Sequence, residues 1–152
     1  MKLKFSWPIF WALLAVSVFL VCFFFIPAVG ELLSGSELFL TPIAVFFLLG
    51  VALIVFTLRE RVGGRLKRFF LLSGASSAGF FLFILLHNAF YALAVASNHI
   101  PVLGSIMEFL HAAFFFMAVP VCPLAFLVGA IGAIVLKFRS SGAERKLASS
   151  SR

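Results

Sequence analysis

The sequence predicts an all-α integral membrane protein, with four transmembrane helices in an antiparallel bundle and both termini in the cytoplasm. Three observations lead to this fold class. Hydrophobic residues make up 64% of the 152 residues and charged residues only 11%, which lies outside the range of soluble globular domains. The apolar residues form four long stretches. Almost every Lys and Arg lies at one of three places that these stretches separate, so the expected solvent is the bilayer.

Each predicted span is long enough to cross the hydrocarbon core, which needs about 20 residues at roughly 1.5 Å per residue. Helices are favoured over barrel strands because no stretch alternates polar and apolar residues. The predicted spans are residues 8–29, 39–58, 69–95 and 106–136. We assign residues 1–138 to a single transmembrane domain. Residues 139–152 are expected to form a disordered basic cytoplasmic tail, because they contain too few apolar groups to fold.

The first span has an alternative interpretation as a cleaved signal peptide. Lys2 and Lys4 precede its apolar core, and Ala28-Val29-Gly30 offers the small residues that a signal peptidase requires. The core runs from Ile9 to Ile26, however, and this is longer than the apolar region of a usual signal peptide. We therefore expect a retained span, with cleavage as the alternative.

The basic residues predict the orientation, because Lys and Arg are retained on the cytoplasmic side during insertion. The first and third loops contain no Lys or Arg. The cytoplasmic set comprises Lys2, Lys4, Arg59, Arg61, Arg65, Lys67, Arg68, Lys137, Arg139, Arg145, Lys146 and Arg152. Both termini should therefore be cytoplasmic, and the expected location is the cell membrane of a prokaryotic-type cell.

Local motifs predict where two helices begin and where one ends. Ser34 and Glu37 before the second span, and Ser105 and Glu108 at the fourth, have the S-x-x-E spacing of a capping box. In that motif the Ser side chain accepts a hydrogen bond from one orphan amide, and the Glu reaches back to another. Glu108 thus has a structural explanation. Gly63-Gly64 allows the positive φ that ends a helix, and this predicts a tight turn between the second and third spans.

Small residues predict where helices approach closely, because short side chains let backbones meet in lipid. The third span contains the run Ser73–Gly79. The fourth has Ala125, Gly129 and Ala133 at four-residue intervals, beside Gly132. We expect these two faces to pack on each other, with a contact to a partner subunit as the alternative.

Prolines and cysteines inside the spans give a further prediction and an exclusion. Pro120 and Pro123 predict a kink near the middle of the fourth span, because each lacks an amide donor and clashes with the preceding turn. Cys22 and Cys122 are the two cysteines, and both lie within apolar spans without a C-x-x-C pair. Neither a disulfide framework nor a cysteine zinc site is predicted.

A polar cluster near the outer ends of the third and fourth spans is the candidate site. Helical spacing places His87 and Tyr91 on one face of the third span, and Glu108 and His111 on one face of the fourth. Asn88 belongs to the same region. If the two faces meet, two imidazoles and a carboxylate converge near the outer headgroups. The first interpretation is structural, with an interfacial tyrosine, a capping glutamate and histidines hydrogen-bonded between helices.

Functional interpretations of this cluster stay open beside the structural one. His87 and His111 could hold a haem or a metal ion, with Glu108 as a ligand or orienting group. The cluster could also serve proton-coupled transport or recognise the polar surface of a partner. We expect neither a cofactor nor a metal.

The expected function is a non-enzymatic structural or accessory subunit of a membrane assembly. Long apolar faces and small-residue seams favour it. The expected partners are the lipid bilayer and either a second copy of the chain or other membrane subunits, and no nucleic acid is expected. A small oligomeric transporter is the alternative. Small multidrug-resistance transporters are of similar size, but their site is a glutamate in the first span, where this chain has only apolar residues, Ser17 and Cys22.

Overall fold

A computed structural model of the protein describes residues 4–26, 40–97 and 99–150, and these are almost entirely helical. The helices are α1 (Ser6–Phe25), α2 (Thr41–Arg59), α3 (Gly64–Ala96), α4 (Pro101–Phe116) and α5 (Cys122–Ser150), with a π-helical segment, Met117–Val121, between α4 and α5. Four apolar spans result, of which the last is continuous over Pro101–Ser140. Within the described residues, the predicted class is therefore confirmed as an all-helical protein with four helices that are long and apolar enough to cross a membrane.

The fourth span begins earlier than the sequence predicts, and the capping box expected at its start is wrong. α4 begins at Pro101. Proline suits the first position of a helix, because an amide at that position would have no hydrogen-bond acceptor within the helix. Ser105 therefore lies inside the helix, where its hydroxyl donates to the Pro101 carbonyl oxygen at 2.9 Å. Glu108 stands further along the same helix and does not cap it.

The last helix continues beyond the predicted membrane domain. α5 extends to Ser150, through most of the segment 139–152 for which the sequence predicts a disordered tail. This segment contains no proline, and residues 143–148 include several good helix formers. The S-x-x-E motif at 34–37 and the alternative cleavage region at 28–30 lie outside the described residues.

α3 is the central helix, because α2, α4 and α5 all pack against it, while α1 packs mainly against α2. The contact between α2 and α3 depends on glycine. A Cβ at Gly50 would lie 2.8 Å from the Ser77 Cβ and 2.9 Å from the Gly74 carbonyl oxygen. The Ser77 hydroxyl donates to the Phe46 carbonyl oxygen of α2 at 2.5 Å, which satisfies a buried polar group across the two helices.

The small-residue faces of the third and fourth spans pack on each other, as one of the two alternatives predicts. A Cβ at Gly129 would lie 2.9 Å from the Ser73 amide nitrogen and 3.0 Å from the Phe69 carbonyl oxygen. Ala133 on the same face of α5 is fully buried. The backbones of α3 and α5 approach closely because no larger side chain stands between them.

The turn between α2 and α3 is tight, but its geometry differs from the prediction. The Arg61 amide donates to the Leu58 carbonyl oxygen and the Val62 amide to that of Thr57, both at 3.2 Å. This pair of bonds is the Schellman motif, in which one residue adopts a positive φ. Arg61 is that residue, with φ 50°. Gly64 has φ 64° but begins α3, so the expectation that the glycine pair ends α2 is wrong.

A carboxylate from this turn caps the start of α1. Glu60 Oε1 accepts the Phe5 amide at 2.7 Å, and Oε2 accepts the Ser6 amide at 3.1 Å and the Ser6 hydroxyl at 2.5 Å. Burial raises the pKa of Glu60, but hydrogen bonds from the Ser6 hydroxyl and from the backbone of residues 4–6 outweigh it. The pKa therefore lies below its ordinary value of 4.5. The positive end of the α1 dipole also favours an ionised group here.

A cation–π contact joins the first and last spans at the same end of the molecule. The Lys137 Nζ lies 4.4 Å from the Trp7 ring centroid and 5.3 Å from that of Trp11. Trp7 also meets the Phe70 ring of α3 edge-on, at 5.1 Å. Residues 4–7, 59–70 and 137–139 therefore lie together, and we term this region the basic end.

Where the prolines of the fourth span predict a kink, the structure has a π-helical turn over Met117–Val121. The Cys122 amide donates to the Met117 carbonyl oxygen, five residues earlier. Pro120 lies inside this turn and has no amide to donate, so the wider turn absorbs the break in the hydrogen-bond ladder. Pro123 follows two residues after this turn within the continuous span, and it also has no amide to donate.

Candidate functional site

His87 of α3 and His111 of α4 form the centre of the polar cluster that the sequence predicts near the ends of the third and fourth spans. Their rings stack with centroids 4.0 Å apart and planes inclined by 23°. His87 Nδ1 lies 3.0 Å from the His111 carbonyl oxygen, and His111 Nδ1 lies 3.3 Å from the His87 carbonyl oxygen. Because a carbonyl oxygen can only accept, we infer that both Nδ1 atoms carry the hydrogen that they donate. We term this reciprocal arrangement the histidine clasp.

Two further aromatic rings extend the clasp into a column. The Tyr91 ring lies 5.2 Å from the His111 ring, and the Phe115 ring lies 5.2 Å from the His87 ring. The column therefore alternates between residues of α3 and α4. The two outer ring pairs of the column are tilted by 42° and 44°, whereas the two imidazoles are stacked. Such ring contacts add to the energy of burial, so the column holds the two helices together in a fixed register.

Glu108 and Asn88 lie near the column but do not join its hydrogen bonds. Glu108 is exposed, and among the described residues no hydrogen bond or ion pair engages its carboxylate. It lines a cavity of about 370 Å³ together with Ala94, Pro101, Gly104 and Ser105. Asn88 is also exposed, and its amide donates to the Ile84 carbonyl oxygen of its own helix at 2.8 Å. The structure thus brings the two imidazoles together and leaves the carboxylate at the edge.

The geometry of the clasp bears on the haem and metal interpretations. A bis-histidine haem needs its two imidazoles on opposite faces of the macrocycle, whereas these rings are in van der Waals contact. A porphyrin would therefore require α3 and α4 to separate. In the part of the chain that the structure describes, no three His, Cys, Asp or Glu side chains are grouped closely enough to hold a metal ion. The arrangement favours a hydrogen-bonded contact between helices.

We expect the two histidines to stabilise the α3–α4 contact as a unit. Replacing either His87 or His111 by alanine removes the stacking and one hydrogen bond. The double variant should therefore lose less free energy of unfolding than the sum of the losses in the two single variants, by about 0.5–1.5 kcal/mol. A double-mutant cycle of detergent-induced unfolding measures this difference. His99→Ala, at an exposed histidine of the connecting turn, is the control and should be neutral; strictly additive losses would contradict the clasp.

Sequence reasoning missed the second polar site, the cap formed by Glu60. A lone acid within a basic turn and a serine at the start of the first span were the available signals, but 54 residues separate them. Ser73 and Thr57 were also missed as buried hydroxyl groups, and both side-chain oxygens lack a hydrogen-bond partner in the described structure. The cap lies at the basic end, and the clasp lies towards the other end of α3.

The two sites have different chemistry. The Glu60 cap holds an ionised carboxylate against backbone amides, whereas the clasp holds Nδ1 donors of two imidazole rings against backbone carbonyl oxygens. Both contacts join two helices; the cap uses both oxygens of Glu60, and the clasp uses the Nδ1 atom of each histidine. Comparison of the chain with known protein families, with curated proteins and with solved structures finds no match.

Proposed function

We propose that the protein is a non-enzymatic structural or accessory subunit of a membrane assembly in the cell membrane. In this proposal the four spans form an antiparallel bundle with both termini in the cytoplasm. The contacts at the basic end support that orientation. Glu60 joins the α2–α3 turn to the start of α1, and Lys137 joins the last span to the same place. Basic residues that lie together at one end are retained on the cytoplasmic side.

The observation that carries the proposed function is the uncovered outer part of the α3–α4 pair. The 33 residues of α3 extend about 50 Å at ~1.5 Å per residue, whereas the 19 residues of α2 extend only about 28 Å. The aromatic contacts between α2 and α3 reach Phe81, where its ring lies 5.0 Å from that of Phe47. α4 contains no buried residue. Within the described residues, a large apolar surface therefore remains open to lipid or to a membrane partner.

One side of this surface has the composition of a helix-docking face. Asn88, Ala92 and Ala96 are exposed and follow at four-residue intervals, so they lie on the same side of α3. Alanine lets a second backbone approach, and an asparagine amide can hydrogen-bond across helices in lipid. Asn88 donates one hydrogen bond within its own helix, and its carbonyl oxygen has no donor in the described part of the chain.

Native mass spectrometry of the protein, released from its own membranes in mild detergent, tests this function. The expected spectrum shows an added mass that corresponds to another polypeptide. Ala92→Leu should reduce recovery of that complex, because a branched side chain on this face separates the two backbones. Leu93→Phe is the control, since it enlarges a neighbouring exposed position about 100° around the helix. Recovery of only the chain, or of its homo-oligomer, would contradict an accessory subunit.

The π-helical turn favours one alternative function, a small oligomeric transporter. Breaks of helix geometry inside a span accompany ion and substrate sites in some transporters. Under our proposal, liposomes that contain only the purified chain should show no proton flux above that of empty liposomes. A flux that depends on the chain and falls in Pro120→Ala would support the transporter instead.

A further inference from the structure

We infer that the α2–α3 turn forms a binding surface for the phosphate headgroups of anionic phospholipids. The surface consists of five cationic side chains within ten consecutive residues, which we term the turn cations: Arg59, Arg61, Arg65, Lys67 and Arg68. The four arginines are exposed, and the lysine is partly exposed. This inference goes beyond the proposed subunit role and requires no protein partner.

The turn cations outnumber the acidic residues of the same ten-residue segment by five to one. Glu60 is the one acid in the turn, and its two oxygens are occupied by the amides and hydroxyl of Phe5 and Ser6. Glu108 lies far along the spans, beside the histidine clasp. None of the turn cations has an ion pair among the described residues. Their positive charge is therefore available to anions outside the chain, and the cytoplasmic leaflet presents such anions.

The turn presents these side chains from an ordered backbone. The two hydrogen bonds of the Schellman motif hold residues 57–62, and Val62 is anchored with only 5% of its surface exposed. Arg65 and Arg68 are three residues apart at the start of α3, so they are neighbours on its surface. One arginine guanidinium group can donate two parallel hydrogen bonds to two oxygens of a phosphate. Because the planar guanidinium group is pre-organised for this contact, less side-chain entropy is lost per hydrogen bond.

The surroundings of the turn favour a lipid over a free anion. Arg59 directly follows an apolar face of α2 on which Val55 and Leu58 are both about half exposed, at 50% and 51%. An acyl chain can lie along that face while the phosphate meets the arginines at its end. A free phosphate ion would make no use of the apolar face. The combination of charge with adjacent exposed apolar surface thus matches a molecule that carries both.

Native mass spectrometry of the purified chain in mixed micelles tests the inference. The probes are dioleoylphosphatidylglycerol and dioleoylphosphatidylcholine at equal concentration in a neutral detergent. The wild-type chain should retain the anionic lipid over the neutral one by about fivefold or more. The triple variant Arg61→Gln/Arg65→Gln/Arg68→Gln should lower this ratio to about one.

A matched variant separates a site from total charge. Arg145→Gln/Lys146→Gln/Arg152→Gln removes the same number of charges from the C-terminal segment, beyond the basic end, and should keep the wild-type ratio. Equal retention of the two lipids by the wild type would overturn the inference. An equal loss of preference in both triple variants would overturn it as well, because retention would then follow net charge. Displacement of the bound lipid by millimolar inorganic phosphate would also overturn it, since it would indicate a general anion site.

Two further controls keep these outcomes interpretable. Tryptophan emission from Trp7 and Trp11 should be the same in wild type and variants if the basic end is intact. If the tryptophan emission of the triple variant differs from that of the wild type, the single variant Arg65→Gln is used in place of the triple variant. Arg65→Gln should reduce the ratio of anionic to neutral lipid by about twofold. An unchanged ratio would overturn the inference. This experiment measures the mass of bound lipid, whereas the test of the proposed function measures the mass of a bound polypeptide. A negative result in one experiment can therefore be told apart from a negative result in the other.

Discussion

Replacing Gly50 by alanine should destabilise the protein by about 1–3 kcal/mol, because the added methyl group collides with the neighbouring helix. Its Cβ would lie 2.9 Å from the Gly74 carbonyl oxygen, a backbone atom that can move only if α3 moves. Separation of α2 from α3 would also stretch the buried hydrogen bond from Ser77 to Phe46. The gain in helix propensity, about 1 kcal/mol, offsets only part of this loss.

The same substitution at Gly79 is the matched control. A Cβ there would meet the Phe83 ring at 3.4 Å and the Cys122 Sγ at 3.5 Å, which are ordinary contacts. Gly79→Ala should therefore be neutral, or stabilising by up to about 1 kcal/mol. Titration with a denaturing detergent, followed by tryptophan emission, compares the two variants. Equal midpoints for Gly50→Ala and Gly79→Ala would contradict the close approach of α2 and α3.

Glu60→Gln should lower stability by about 1–2 kcal/mol at neutral pH, because a neutral amide is a weaker acceptor for the Phe5 and Ser6 donors. It should also remove a pH-dependent part of the stability. Since the pKa of Glu60 is lowered on folding, its ionised form stabilises the fold fully above about pH 4.5. That contribution is lost as the pH falls through the lower pKa of the folded state. Unfolding midpoints measured between neutral and acid pH report both effects.

The control for this prediction is Glu108→Gln, which removes an exposed carboxylate that has no partner among the described residues. It should leave the midpoint at neutral pH unchanged. Ser6→Ala should destabilise in the same direction as Glu60→Gln, and the two losses should not add, because they break the same contact. If Glu60→Gln and Glu108→Gln behaved alike, the cap would not contribute to stability.

The close approach at Gly50 and the Glu60 cap stabilise different parts of the molecule. The glycine contact sets the distance between α2 and α3 inside the spans, whereas the Glu60 cap ties the start of α1 to the turn at the basic end. Together they order the part of the molecule from α1 to the middle of α3. The part of α3 and α4 remote from the basic end is held by the histidine clasp, and the remaining surface of this part is the one that we propose meets a membrane partner.

Much of the architecture follows from the sequence, because the hydrocarbon core demands long helices with internally satisfied backbones. The four apolar stretches therefore predict four helices; most of the predicted bounds lie within about five residues of those in the structure, whereas the last helix extends well beyond its predicted end, to Ser150. The small-residue faces of the third and fourth spans predict the packing at Gly129. Composition also predicts which residues could form a polar site, since His87, Tyr91 and His111 are among the few polar side chains near one end of the spans.

Several features were decided only by the tertiary structure. The sequence predicts that Glu108 caps the fourth span, whereas the acid that caps a helix is Glu60, at the start of α1. The sequence also predicts that the glycine pair ends α2, whereas Arg61 adopts the positive φ at that end. It also leaves open whether the two histidines on facing helices meet, whereas the structure stacks their rings. The physical reason is that lipid-facing and buried apolar residues look alike in composition, so the rotation and register of each helix are not readable from its sequence. Contacts such as the Glu60 cap and the histidine clasp depend on that register, and only the packed helices determine it.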